Sequence, residues 1–360
     1  MTTMVIGTLK DLTSEASARR KLEEHNLNLN SHSVLKTRPI TFGDLAKHYI
    51  NHELPADQSE AAIPKAHSTI TTYTRYLNRW ILPRWATEIA GSMEPIDVQN
   101  WLKQLGKDHG LSNQTRAKIR QTMSLVYTHG MRYGLLPREE GSNPVKYVRR
   151  SCVSDYEPVI LTPSQCFAIL KHLKGMHRVL VLTAAATALR ISEILALRWM
   201  DVDGENQRIH VRRAWVYGKF GPPKSKASKN PAPLHPVLAA VLEAWKAETP
   251  YAKDADLVFP SFKLKGKKPP RANMLVSEHL KPAAIKAGIK GEVGFHTFRR
   301  TLASTLIANS YDPKLVQELL RHSNIKTTLD VYARAITPAK IDAQGAFLRQ
   351  MLGDANPATA

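Results

Sequence analysis

Residues 294–335 read GFHTFRRTLASTLIANSYDPKLVQELLRHSNIKTTLDVYARA, with apolar residues at helical spacing between short polar breaks. The spacing predicts helices over Thr297–Asn309, Asp312–His322 and Thr327–Ala335. The same stretch carries four side chains that suit the grip and attack of a phosphodiester better than they suit a core: His296, Arg299, His322 and Tyr332. Each also has a plainer interpretation, as a chance H-x-x-R spacing, a helix C-cap or a core aromatic. The stretch therefore predicts a phosphate site only if the chain supplies a second arginine.

The charge of the chain indicates the class of partner. The 360 residues include 51 Lys and Arg against 31 Asp and Glu, a formal net charge of +20 with a sequence pI near 9.9. Such an excess predicts a polyanionic partner, with nucleic acid as the first candidate and a merely soluble basic protein as the alternative. An anionic membrane surface is disfavoured, because no stretch joins a strongly apolar face to a solidly basic one.

Several classes of protein are disfavoured by what the sequence lacks. No apolar run approaches the roughly 20 residues that span a bilayer, and no secretory signal is evident, so a cytoplasmic protein without a membrane partner is expected. Cys152 and Cys166 lack the spacing of a zinc site or a disulfide framework. Without a D-x-D or H-x-H cluster or a GxxxxGK[ST] motif, neither a metal nor any other cofactor is expected.

The first part of the chain is predicted to hold an appendage, a helical domain and a linker. Residues 1–36 are too short for a core and are predicted to be an arm or the remnant of a larger module. Residues 40–136 predict a four-helix domain, and residues 137–160 predict a linker broken by Gly and Pro. Six basic residues are candidate DNA contacts, the first three on an outward helix face and the others in the linker: Arg116, Lys118, Arg120, Lys146, Arg149 and Arg150.

Capping residues predict where these helices begin. Thr41, Ser68 and Ser112 are each followed by residues of helical periodicity, and the helix from Ser68 is expected to stop at Pro83. Gly134 stands where the last helix is expected to end.

The second domain, residues 161–336, is predicted to be mostly helical with a small β-hairpin. Val179–Ala186 is nearly all apolar and predicts a buried element that ends just before Arg190. An arginine so placed either pairs with Glu193 or points at a ligand anion. The hairpin is predicted from two strands, Gln207–Tyr217 and Lys224–Leu234, with lysines at its tip and on its return strand. Further helices are predicted over two ranges: Pro236–Trp245 and Leu275–Gly288.

Four motifs, in this order, resemble the tyrosine recombinase (phage integrase) family: ATALRISEILALRWMDVD, KSKASKNPAPL, FHTFRR and LLRHSNIKTTLDVY. The resemblance covers residues 40–345. It implies a helical, SAM-like core-binding domain and a mostly helical catalytic domain of the DNA breaking–rejoining type, which together clamp double-stranded DNA. It also implies a homotetramer on DNA during synapsis, with accessory DNA-bending or directionality proteins as candidate partners.

The resemblance also implies roles for individual residues. Arg190 and Arg299 would hold the scissile phosphate, and Glu193 would support an active-site arginine or histidine. His296 would act as a donor or as a base, and His322 would donate to a non-bridging oxygen. Lys224 would act as the acid that protonates the 5′ leaving oxygen, and Tyr332 would be the nucleophile that attacks the phosphate. Lys226 stays open as the alternative acid, because alternate residues of a strand share a face.

Two departures from the family pattern stand out. Arg321 precedes His322 where the family often has glycine, which predicts a tighter or more helical turn. Ala188 replaces the glycine before the first arginine, a mild change. Two other functions stay open: a type IB topoisomerase-like relaxing enzyme and a non-catalytic DNA-binding protein. A C-terminal tail, 337–360, carries an apolar stripe suited either to a neighbouring subunit or to its own domain.

Overall fold

A computed structural model describes residues 14–21, 39–55, 64–149, 158–326 and 328–329. Most of the predicted arm, part of the linker, Arg150, Tyr332 and the tail lie outside the described residues. The chain divides into two compact units, Met1–Asp155 and Tyr156–Ala360, and the predicted linker spans this division. Within the described ranges, no helix is both long and apolar enough to cross a membrane.

The first unit is built from helices around one core. Its helices are α1 (Phe42–Glu53), α2 (His67–Tyr76), α3 (Leu82–Trp85), α4 (Pro95–His109) and α5 (Asn113–Arg132), followed by a 3₁₀ turn at Pro144–Tyr147. A short helix over residues 15–21 precedes them. Four apolar and aromatic side chains of α1 and α5 are fully buried in this core: Phe42, Leu45, Ile119 and Tyr127.

Two of the three predicted caps are confirmed. The Thr41 hydroxyl accepts a hydrogen bond from the Asp44 amide at 3.1 Å, and the Asp44 carboxylate accepts one from the Thr41 amide at 3.2 Å. The Ser112 hydroxyl accepts from the Thr115 amide at 3.3 Å. The cap predicted at Ser68 was wrong, because α2 begins at His67 and Ala66, two residues before Ser68, occupies the cap position without a side-chain hydrogen bond.

Two prolines lie inside continuous helical segments rather than ending them. A π-helical turn at Leu77–Ile81 precedes Pro83, so the predicted stop there was wrong. A second π turn, Leu275–Leu280, precedes Pro282 in the same way. In both turns the residue before the proline donates its amide five residues back, which widens the helix where the proline ring would otherwise clash.

The second unit is mostly helical, which confirms the predicted mainly α fold with a small β part. Its helices are α6 (Pro163–Lys171), α7 (Gly175–Thr187), α8 (Ile191–Ile194), α9 (Pro236–Glu248), α10 (Ala272–Met274), α11 (Lys281–Lys286), α12 (Phe295–Ala308) and α13 (Pro313–Leu320). Val179–Ala186 is thus helical, and Thr162 caps α6 in a capping box with Gln165. A large core includes Phe259 and Phe298.

The β part differs from the prediction. Strands β1 (Val202–Asp203), β2 (Arg208–Ile209) and β5 (Ala232–Pro233) form one antiparallel sheet, and β3 (Ala214–Val216) pairs with β4 (Lys219–Gly221). The hairpin turns at Tyr217 and Gly218, both with positive φ, as a two-residue type I′ turn requires.

The predicted return strand Lys224–Leu234 is confirmed only near its end, where β5 pairs antiparallel with β2 at an edge of the sheet, and was wrong for residues 224–229. Pro222 and Pro223 follow β4 without amide donors and end its pairing. Residues 224–229 form bends and a 3₁₀ turn at Ala227–Lys229. This segment is called the lysine loop below.

A small core positions the site. Val316 and Leu320 of α13 pack with Ala303 and Ile307 of α12 and with Ala188, which follows α7. This cluster holds the C-terminal end of α13 and the end of α7 beside α12, the helix that carries the H-x-x-R motif.

Candidate active site

One cavity of about 540 Å³ brings together five of the six predicted catalytic residues: Arg190, Lys224, His296, Arg299 and His322. The sixth, Tyr332, lies outside the described residues. Every ionisable side chain among the described residues that line this cavity is a base rather than an acid. The cavity therefore suits a bound anion.

Arg190 stands at the N-cap of α8, where the buried helix α7 gives way to a short loop. Its Nη1 donates to Glu193 Oε1 at 2.9 Å and to Ser228 Oγ of the lysine loop at 2.7 Å. Its backbone amide also donates to Glu193 Oε2 at 3.1 Å. The two interpretations left open by the sequence thus hold together, since Arg190 pairs with Glu193 and still lines the cavity.

Arg299 is buried and fixed by backbone carbonyls. Its two terminal nitrogens donate to the carbonyl oxygens of Ala188 and Leu320, from the ends of α7 and α13. Burial, and then the nearby charges of Arg190 and Arg321, lower the pKa of Arg299 to about 9. The guanidinium is still charged at neutral pH, so its fixed orientation gives the cavity a permanent cation.

Both departures from the family's glycine pattern fall on left-handed backbone. Ala188 has a φ of 51° and Arg321 a φ of 52°, and each ends a helix. Glycine adopts this conformation without the steric cost that a Cβ brings, about 1–2 kcal/mol. The expectation of a tighter or more helical turn at Arg321 was wrong, since the residue takes the helix-ending conformation that glycine favours.

Arg321 has a role that the sequence did not predict. Only 3% exposed, it donates from Nη2 to Glu193 Oε2 at 2.6 Å and from Nη1 to the carbonyl of Ser228 at 3.2 Å. Glu193, 1% exposed, thereby joins Arg321 to Arg190. The arginine at an expected glycine was a signal in the sequence, whereas nothing singled out Ser228.

The lysine loop places Lys224 on the cavity wall together with Ser225. Ser228 anchors the loop on its buried side, because Ser228 is fully buried and its hydroxyl lies 2.9 Å from that of Ser225. Lys226 leads the 3₁₀ turn and is not among the residues that line the cavity. Because this segment is not a strand, Lys224 and Lys226 do not share a strand face, and strand register does not relate them.

The two histidines of the cavity have lowered pKa values. Burial, followed by the charge of Arg299, lowers the pKa of His296 and lowers that of His322 to about 4. Both rings are thus neutral at pH 7 in the free protein. His322 Nδ1 lies 3.0 Å from the Thr328 hydroxyl. A neutral ring that accepts this hydroxyl at Nδ1 keeps its Nε2–H for an anion in the cavity.

This neutral state predicts an acid-sensitive fold. The pKa of about 4 for His322 in the folded protein lies below its ordinary value of 6.5, so the unfolded chain takes up the proton first. The contribution of the neutral His322 ring to the free energy of unfolding is therefore fully present above pH 6.5, and it is lost as pH falls toward 4. We expect His322→Asn, which cannot be charged, to lose less stability than the native protein across this window in urea unfolding. The exposed His172→Asn serves as the control, and identical profiles for His322→Asn and the native protein would contradict the assignment.

The six predicted DNA contacts have different surroundings. Lys118, Lys146 and Arg149 are exposed. Arg116 and Arg120, predicted to face outward, are half-buried. Their guanidiniums donate to backbone carbonyls, Arg116 to that of Leu102 and Arg120 to those of Lys146 and Val148. They fasten one stretch of backbone to another, and Arg150 lies outside the described residues.

Comparison of the sequence with known proteins identifies relatives. The model of the phage integrase family matches residues 160–337. An integrase/recombinase of Escherichia coli is 30% identical over 204 residues, which cover 48% of this chain and 58% of that protein. The chain thus matches little more than half of that relative's length. A tyrosine recombinase XerC-like protein of Caldanaerobacter subterraneus subsp. tengcongensis is 25% identical, over 92% of this chain and 88% of that protein.

Solved structures share the fold. The Tn1549 transposon integrase, in complex with transposon right end DNA, superposes with a TM-score of 0.68 at 22% identity, over 87% of this chain and 100% of that one. A lambda integrase dimer bound to a COC′ core site gives a TM-score of 0.61 at 15% identity, over 81% and 95%. With the matched family model and these relatives, the chain belongs to the phage integrase family.

Proposed function

We propose that this protein is a site-specific DNA recombinase that cleaves and rejoins double-stranded DNA through a 3′-phosphotyrosyl intermediate, without a metal ion or ATP. The observation that carries the proposal is the convergence of Arg190, Lys224, His296, Arg299 and His322 on one basic cavity. Cleavage of a phosphodiester builds negative charge on non-bridging oxygens, and fixed guanidiniums and imidazole N–H groups stabilise that charge.

In the proposed first step, the Tyr332 oxygen attacks phosphorus and displaces the 5′ oxygen. The P–O bond to tyrosine forms as the P–O5′ bond breaks. The phenol proton passes to a base, for which neutral His296 is suited, and Lys224 supplies a proton to the departing oxygen. Attack by a 5′ hydroxyl reverses these events and rejoins the DNA, since the phosphotyrosine keeps the bond energy.

Arg190 and Arg299 would hold the two non-bridging oxygens, and His322 would add a neutral donor. Arg299 is suited to this because its orientation is set before DNA arrives, by the carbonyls of Ala188 and Leu320. Preorganised donors of this kind stabilise a transition state without reorganisation at the moment of reaction.

Double-stranded DNA is the proposed partner, and a homotetramer on DNA is the proposed assembly during strand exchange. The DNA complexes of the Tn1549 and lambda integrases support a DNA partner. Six basic residues remain proposed contacts to the phosphate backbone of the DNA: Arg116, Lys118, Arg120, Lys146, Arg149 and Arg150. Accessory DNA-bending or directionality proteins, action in the cytoplasm and association with the nucleoid belong to the same proposal.

Covalent capture tests the function. The full chain is incubated with a library of nicked duplexes of random sequence, in chelator and without ATP, so that cleavage releases a short strand and traps the protein. We expect an adduct that survives detergent, a free 5′ hydroxyl on the released strand and a nucleotide-bearing peptide that contains Tyr332. Repeated selection should converge on one sequence, whereas adducts without sequence preference would favour a topoisomerase-like enzyme. Absence of any adduct, with DNA binding intact, would overturn the proposal.

Arg299→Lys is expected to slow cleavage by about 10²–10³-fold, the cost of losing one preorganised transition-state donor. A lysine ammonium cannot bond the carbonyls of Ala188 and Leu320 and face a phosphate in the same fixed plane. The rate of adduct formation on a selected duplex measures the effect, with DNA affinity as the check on folding. The exposed Arg208→Lys is the matched control and should cleave normally. Unchanged cleavage by Arg299→Lys would remove Arg299 from the proposed mechanism.

A further inference from the structure

Three histidine rings meet on the first unit, in a group that the proposed function does not use. His48 and His52 lie one helical turn apart on α1, and their rings stack with centroids 3.9 Å apart. His129 of α5 lies beside them, with its ring centroid 5.0 Å from that of His48. One nitrogen from each ring lies within 4.8 Å of the other two, and this is the one group of three or more potential metal ligands among the described residues. We call it the histidine cluster.

Hydrogen bonds to two acceptors fix where two of these rings carry their protons. The Glu53 carboxylate can only accept, so its contact with His129 Nδ1 at 3.3 Å places the hydrogen on that nitrogen and a lone pair on Nε2. The carbonyl of His48, 2.9 Å from His52 Nδ1, does the same for His52. Both rings thus offer Nε2 lone pairs.

The third nitrogen is Nδ1 of His48, which lies 2.8 Å from His129 Nε2. Because His129 Nε2 bears a lone pair and accepts, His48 Nδ1 carries the hydrogen of the hydrogen bond between them. Moving that hydrogen to His48 Nε2 frees Nδ1 as a ligand without any change in net charge. Three neutral imidazoles then each offer a ring nitrogen with a lone pair, and such nitrogens lie within 4.8 Å of one another.

The surroundings of the cluster resemble the outer shell of a metal site. Glu53 is only 4% exposed and is held by Lys65 and Arg132, so it is a fixed partner for His129. A carboxylate that accepts the second N–H of a ligating histidine orients the ring and raises its basicity. Tyr133 packs on the cluster, with its ring centroid 4.4 Å from that of His129, while His52 is exposed and leaves a path to solvent.

We propose that His48, His52 and His129 bind one divalent transition-metal ion of the Zn²⁺ class, with a solvent molecule as the fourth ligand. Imidazole nitrogens suit Zn²⁺, at bond lengths of about 2.0–2.1 Å. Tetrahedral bonds of that length bring ligand nitrogens to about 3.3 Å from each other. His48 Nδ1 and His129 Nε2 lie 2.8 Å apart and the cluster offers one nitrogen per ring within 4.8 Å, so the spacing fits, and side-chain rotations that tilt the stacked rings of His48 and His52 apart complete the site. The ion links α1 to α5.

Titration of the full chain with Zn²⁺ alone tests the site, after removal of any affinity tag and dialysis against chelator. Calorimetry should show one saturable ion per chain at the cluster, and the Co²⁺ form should show the visible bands of a four-coordinate ion. Zn²⁺ should raise the temperature of unfolding, because it binds the folded state.

His52→Ala is the decisive variant, since His52 is exposed and its loss leaves the core intact. We expect it to weaken binding at least 100-fold and to abolish the thermal shift. His109→Ala, an exposed histidine of the same unit outside the cluster, should behave as the native protein does. His296 and His322 are unchanged in both variants, so binding in the cavity gives an equal background. Absence of saturable binding to the native protein, or equal binding by His52→Ala, would overturn the proposal.

Discussion

Tyr332→Phe is expected to abolish covalent capture of DNA while DNA affinity is unchanged. Removal of a covalent nucleophile costs on the order of 10⁶ in rate. Only one oxygen atom is lost, and the groups proposed to hold the phosphate in the ground state, Arg190 and Arg299, are untouched. The native cavity would then bind the scissile phosphate and fail only at the attack. Binding and chemistry are therefore expected to separate cleanly in this variant.

The measurement compares adduct formation and DNA affinity on one selected nicked duplex. Tyr311→Phe is the matched control, because Tyr311 is 49% exposed, lies between α12 and α13 and is not among the residues that line the cavity. It should form adduct at the native rate. An adduct of undiminished yield with Tyr332→Phe would assign the nucleophile to another residue, which the mass of the nucleotide-bearing peptide would identify.

Local physics made the helices predictable. Thr41 and Ser112 cap their helices as expected, since a hydroxyl at the N-cap satisfies an amide whatever the rest of the chain does. The π turns before Pro83 and Pro282 were missed, because each inserts a single residue, and helices this short hold too few apolar residues to reveal the change of phase. The lysine loop was mistaken for a strand, because short strands in a small sheet leave little periodicity to detect.

The site was predictable in part, for a related reason. Its basic residues stand in local motifs, and the pairing of Arg190 with Glu193 spans three positions of one turn. The contact between Arg321 and Glu193 joins residues 128 positions apart, and no local pattern encodes it. The histidine cluster falls between these cases. His48 and His52 show i,i+4 spacing on a predicted helix, but His129 comes from a different helix.

The contact of Arg321 with Glu193 leads to a second large effect: Arg321→Gly is expected to destabilise the protein. Removing one partner of a buried ion pair costs about 3–5 kcal/mol, while glycine at a φ of 52° recovers about 1–2 kcal/mol of backbone strain. The free energy of unfolding should therefore fall by about 1–4 kcal/mol. Cleavage should also slow, because Glu193 and the lysine loop lose the guanidinium that holds them together.

Ser310→Gly measures the relief of backbone strain alone, and so separates it from the loss of the buried ion pair. Ser310 also has a left-handed backbone, with a φ of 61°, but it is exposed. Its replacement by glycine should therefore raise the stability slightly or leave it unchanged. Urea unfolding of both variants measures the contrast, and Glu193→Gln in the Arg321→Gly background should recover part of the loss by removing a carboxylate that has lost a partner. If Arg321→Gly proves as stable as Ser310→Gly, the buried ion pair contributes no net stability, and Arg321 does not fasten the lysine loop to Glu193.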